Sequence, residues 1–106
     1  ATLLSQGDFT SREENASLRV RGRASLLSSG ERTIVRLENF RVARGTDLHV
    51  YLAPALGDED AVDFGALKAT EGNMNYEIVN LFDLSPYHYV LIWSRAFGVL
   101  LGYAEL

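Results

Sequence analysis

The chain has 106 residues, 47% of them apolar and 23% charged, with a net charge of −4. That length fits one domain over residues 1–106 that can fold without staples, and the acidic balance, with a pI near 5.0, excludes a general nucleic-acid binder or a polybasic membrane-surface module. The absence of cysteine removes disulfides, thiolate metal sites and thiol catalysis together, and no apolar run reaches the ~18 residues of a membrane helix.

In chain order, Leu3-Leu4 make a short apolar patch and Gly7-Asp8 read as a turn before Phe9. Ser11 to Ala16 is polar, a surface loop. Ser17 to Leu27 alternates: Leu18, Val20, Gly22, Ala24 and Leu26 share one face, and Arg19, Arg21 and Arg23 the other. Period two over this length predicts a half-buried strand. Ser28-Ser29-Gly30-Glu31 is the turn into a return strand, Arg32 to Phe40. Pairing Leu27 with Arg32 sets Arg21 opposite Glu38 and Arg23 opposite Arg36, with Thr33, Val35, Leu37 and Asn39 inward. The arginines then form a solvated face with local carboxylate partners, which explains them better than an anion site does.

Gly45-Thr46-Asp47 is the next turn. Asp47 to Ala53 alternates, with Leu48, Val50 and Leu52 inward and His49 and Tyr51 outward, until Pro54 removes a ladder donor. An acidic loop from Leu56 to Ala61 leads into a short strand at Asp63 to Leu67. Glu71-Gly72-Asn73 reads as a turn before a strand, Met74 to Val79, and Asp83 to Pro86 as one helical turn. Two apolar runs, Tyr87 to Ser94 and Phe97 to Leu106, flank Arg95-Ala96 and predict a hairpin through the core. Short strands with turns every ~8–12 residues define an all-β fold, an antiparallel β-sandwich or flattened small β-barrel in a single domain.

Candidate sites each have a plainer reading. Ser94 lacks the strand-turn-helix setting and spaced base of a nucleophile, and reads as a hydroxyl satisfied near the hairpin turn. His49 and His88 lie on separate segments with no zinc spacing. Met74 with a histidine could bind haem axially, but a lone methionine in an alternating strand is ordinary core filler. Asp58, Glu59, Asp60 and Asp63 could hold calcium, but without EF-hand spacing they read as a solvated loop. Tyr87, Tyr89 and Trp93 share a face of one predicted strand, and Phe97 and Tyr103 a face of the next. They make either core or a stacking surface for sugars or peptides, with Trp93, Phe97 and Tyr89 as its candidate residues. The spacing shows no catalytic constellation, so the expectation is a non-enzyme with no catalytic residue, no metal and no cofactor.

Several segments in order resemble the DM-thirteen domain family, which is linked to electron transfer and found beside DOMON domains. They are Gly7-Asp8-Phe9, Gly22-Arg23-Ala24, Leu37-Glu38-Asn39-Phe40, the Gly-x-Asp-Leu-x-Val-Tyr-Leu run at Gly45 to Leu52, Asp63 to Lys68, Gly72 to Tyr76, Val90 to Val99, and Gly102 to Leu106. The resemblance covers nearly the whole chain. It implies a small β module of secreted or cell-envelope proteins, in some cases lipid-anchored through a removed N-terminal segment, working beside an unidentified protein or redox partner. It also implies that the family's redox role rests on a cysteine directly after the Ile-Trp pair, the position that is Ser94 here. A hydroxyl does none of the thiolate's electron, disulfide or soft-metal chemistry near neutral pH. The alternative expectation is a cell-envelope binding or adhesion module that uses loops or an aromatic face.

Overall fold

The computed structural model describes residues 1–12, 19–79 and 83–106. Eight strands carry the chain: β1 (Thr2–Ser11), β2 (Arg21–Ser29), β3 (Arg32–Arg41), β4 (Leu48–Ala53), β5 (Val62–Ala66), β6 (Glu71–Val79), β7 (Tyr89–Ser94) and β8 (Val99–Glu105). They form one antiparallel sheet in the order β5-β4-β7-β8-β1-β2-β3-β6, with no helix among the described residues. The sheet curls until its two end strands approach each other, giving a nearly closed, flattened barrel of 39 × 26 × 20 Å. The seam is stitched by the segment between β5 and β6. Leu67 N–H donates to Leu48 O, and Val42 N–H donates to Thr70 O.

β1 makes the corner. Its first part, Thr2 to Asp8, pairs with β2, and Phe9 to Ser11 pairs with β8. The expected turn at Gly7-Asp8 is therefore absent; both residues lie in a continuous strand. Gly7 has a different reason to be glycine, because a Cβ there would stand 1.9 Å from the Glu105 carbonyl oxygen. Only a residue without a side chain lets the strands cross so closely.

The β2–β3 hairpin is tighter than expected. Ser29 pairs with Arg32, so Leu27 meets Ile34 and Arg23 meets Glu38. Only Gly30 and Glu31 form the loop, and Gly30 takes φ 60°. A two-residue loop favours such positive-φ residues because its twist matches the strands. Arg23 finds its ion-pair partner in Asp8 of β1 at 3.2 Å, and Arg36 pairs along its own strand with Glu38 at 3.4 Å. Thr33, Val35 and Leu37 point inward as the alternation requires. Asn39 does not. Gly22 faces both Asn39 and Phe40 across the ladder, a β-bulge. Asn39 adopts φ 51° and turns outward, and Phe40 takes the inward place at 1% exposure. Ser17 and Leu18, part of the predicted strand, fall outside the described residues.

Glu71-Gly72-Asn73 belongs to β6 instead of forming a turn, because Gly72 and Asn73 follow the bulge on β3. Asp83 to Pro86 is no helical turn; Tyr87 N–H donates to Leu84 O at 3.0 Å, closing a four-residue turn. The barrel interior holds Leu48, Val50 and Leu52 of β4 and Val90 and Ile92 of β7, with Phe40 and Tyr76 filling the far wall.

Candidate functional site

The outer face of β4 and β7 departs most from a simple alternating strand. All six residues of β4 are buried. His49, Tyr51 and Ala53 do point away from the interior, but a second apolar cluster covers them. Tyr51, Ala53, Leu91 and Trp93 form it, with Leu56 and Ala61 of the returning loop and Tyr89, Leu100 and Tyr103 packed alongside. Tyr51 and Trp93 stack with centroids 6.1 Å apart and planes at 19°. Tyr89 and Tyr103 meet edge to face at 6.0 Å. Trp93, at 8% exposure, is not a stacking platform for a ligand. Tyr89 is half-buried, and Tyr87, ahead of the strand, packs on the inner core instead of sharing their face.

Phe97 lies elsewhere again. The break between β7 and β8 takes four residues, Arg95 to Gly98, so Phe97 sits in a turn and not on a strand with Tyr103. It is 71% exposed, and Val99 beside it is 49% exposed. The turn is held from below. Ser94 is buried, its hydroxyl donates to Thr46 O at 2.8 Å, and its Oγ accepts from the Phe97 N–H at 3.4 Å. Arg95 N–H donates to Asp47 O. Ser94 points toward the interior with Ile92 and Val90, on the opposite side of the sheet from His49, so the two form no nucleophile–base pair.

His49 is the centre of a polar cluster that spacing did not reveal. Its Nδ1 lies 3.0 Å from Asp63 Oδ1 and its Nε2 3.2 Å from Asp47 Oδ1. Both contacts become hydrogen bonds together only in the imidazolium form, since a neutral ring has one donor. Asp63 also accepts from Gly65 N–H at 2.8 Å and faces Arg95 Nη1 at 3.7 Å. The cluster ties the turn before β4, the edge strand β5 and the turn after β7 to one ring. The one sequence signal was Asp47-x-His49, two polar residues on one strand face. The third partner, Asp63, is distant in sequence. Tyr51 sits next to it, and burial, reinforced by the Asp63 carboxylate, raises its phenol above the usual tyrosine range.

A haem held by Met74 and His49 has no geometry here. Both nitrogens of His49 face carboxylates, and the Met74 thioether accepts from Tyr76 O–H at 3.4 Å on the far sheet wall. The acidic loop does not gather as a calcium site, because Asp63 turns away to His49. No group of three or more metal-ligating side chains among the described residues could hold an ion. No helix among them is long and apolar enough to cross a membrane.

Fold and site together define a small all-β module with a pinned hairpin tip, a buried serine at its base and an aromatic outer face. The sequence matches the family described as electron transfer DM13 over residues 8–106, and the chain belongs to that family. Neither the curated proteins nor the solved structures compared with the chain gave a match.

Proposed function

We propose that this chain is a non-enzymatic, extracytoplasmic module of an electron-transfer lineage that acts by docking and carries no electrons on a thiol of its own. The observation that carries the reading is Ser94. At the position where the family resemblance implies a redox cysteine, this chain has a buried hydroxyl that organises the turn above it. Electron transfer through the assembly then requires a partner that holds the cofactor. The placement outside the cytoplasm, with or without a lipid anchor, rests on the extracellular redox domains that such modules accompany; fractionation of cells making the full-length protein tests it.

The protein reading is tested by visible absorption and voltammetry of the purified chain, together with Ser94→Cys. The wild type is expected to be colourless with no reversible wave. The introduced thiol is expected to resist a disulfide reagent until the protein is unfolded, because the site is closed. A visible chromophore or a reversible wave in the wild type would overturn the proposal. The second reading, a cell-envelope binding module, draws on one observation, the exposed Phe97 on its fixed turn. Trp93 and most of the aromatic face are covered, so any such surface is narrower than the sequence suggests.

A further inference from the structure

A cleft opens where β1 leaves β2, and the geometry points to a binding site there for a phosphate monoester. Asp8 pairs with Arg23 of β2, but from Phe9 onward β1 runs with β8. The strand therefore parts from the chain entering β2, and an open groove of about 610 Å³ lies between them. Arg12, Arg19 and Arg21 are exposed and line it beside Phe9, with no carboxylate among the described residues that do so. The floor is fixed. Val20 is buried, and its N–H donates to the Ser11 hydroxyl at 3.0 Å. Gly102 lies against it, so close that a Cβ there would stand 2.8 Å from the Val20 side chain. A floor already in place loses little freedom when a ligand settles on it.

Four other arginines, Arg23, Arg32, Arg36 and Arg95, each have a carboxylate at 3.2 to 3.7 Å. Arg12 and Arg21 have none among the described residues. Simple alternation gives Glu38 to Arg21, but the bulge shifts the register. Glu38 goes to Arg36, and Arg21 stands directly across from Arg41. Like charges opposite each other on a sheet destabilise it. Glu71 faces Arg41 from β6, so Arg21 is the member left uncompensated. A chain with net charge −4 has carboxylates to spare, which makes the unmet positive charge a property of this cleft. Guanidinium groups are flat forks that bind oxyanions two bonds at a time. Several of them around one groove suit the dianion of a phosphate ester better than a single carboxylate. Phe9, packed on Phe40 with ring centroids 5.4 Å apart, gives the organic part of the ester an apolar wall. A soluble ester and a lipid headgroup share this chemistry.

Amide NMR titration of the whole chain with phenyl phosphate, inorganic phosphate and acetate tests the site. Co-sedimentation with phosphatidylcholine vesicles, with and without phosphatidic acid, separates the two sources. Saturable shifts at Thr10, Arg12 and Arg21 are expected with both phosphates, tighter for phenyl phosphate, and none with acetate. Arg12→Gln and Arg21→Gln are each expected to weaken binding about tenfold, the worth of a charge-assisted hydrogen bond. Arg21→Lys keeps the charge but loses the fork, and is expected to weaken binding as well. Arg36→Gln, outside the groove, is expected to leave it unchanged. Arg21→Gln also removes a like-charge pair, so its thermal midpoint is expected not to fall. Binding of phenyl phosphate marks a soluble ester; capture by phosphatidic-acid vesicles alone, lost in the same variants, marks a headgroup. No saturable response to any of these phosphates sinks the inference. So does an equal response to acetate, or binding that Arg36→Gln weakens as much as Arg12→Gln and Arg21→Gln do. Anion binding is read apart from colour and voltammetry, so this inference and the function proposed above fail separately.

Discussion

Ser94 shows how one atom decides a local structure. Its hydroxyl reaches Thr46 O on one side and Phe97 N–H on the other. Ser94→Ala removes the hydroxyl from two part-buried contacts, and is expected to cost about 1 kcal/mol in denaturant unfolding. Amide exchange at Phe97 is expected to quicken more than exchange in β4. Two tyrosines make a second residue-scale prediction. Burial raises the phenols of Tyr51 and Tyr76, more than the Lys68 backbone N–H lowers the latter. An unfolded tyrosine ionises near pH 10. Above that pH the unfolded chain sheds protons that the folded chain keeps, so stability is whole below ~10 and falls as pH rises through the raised folded values. Phenolate absorbance against pH is expected to show a late component that shrinks in Tyr51→Phe and in Tyr76→Phe. At this scale the sequence displayed Ser94 and its plain role. It did not display the His49 cluster, because Asp47, Asp63 and Arg95 converge only when three separate segments are in place.

At the scale of the element, period two was a sound guide to which residues face inward on β2, β4 and β6, but on β7 it grouped Tyr87 with Tyr89 and Trp93, whereas Tyr87 packs on the inner core. It failed where strand geometry is irregular. The bulge at Asn39 sends Phe40 inward, and alternation alone assigns that place to Asn39. The corner at Gly7 looked like a turn because glycine beside aspartate is a common turn pair. The cause is instead the approach of the β8 backbone. Gly7→Ala places a methyl carbon where the Glu105 carbonyl already stands. The expected result is loss of β1–β8 pairing and a fall in thermal midpoint far beyond a usual surface change, whereas Gly57→Ala, with open space around it, is expected to leave the midpoint nearly unmoved. The edge of β6 shows a different device. Lys68 places its ammonium on Asn75 O and its backbone N–H on the Tyr76 hydroxyl, which covers part of an edge that would otherwise be open to another strand.

For the whole molecule, the question is why a 106-residue chain without disulfides holds its shape. One interior under a curled sheet and a second cluster outside it together bury nearly all of β4 and β7. Trp93 ties the outer cluster by stacking on Tyr51 and is 8% exposed. Trp93→Ala is expected to cost about 3–5 kcal/mol, a large share of the ~5–15 kcal/mol that holds such a domain. Chemical denaturation measures it, and a loss near zero would show that the ring contributes little to the packing. The sequence by itself determined the all-β class, the family and most inward faces, because side-chain alternation and ordered motifs are properties of neighbouring residues. Only the tertiary structure decided the hairpin register, the covering of His49 and Trp93, and the exposure of Phe97. Those depend on which distant segments meet, and pairing between distant strands leaves no period in the chain.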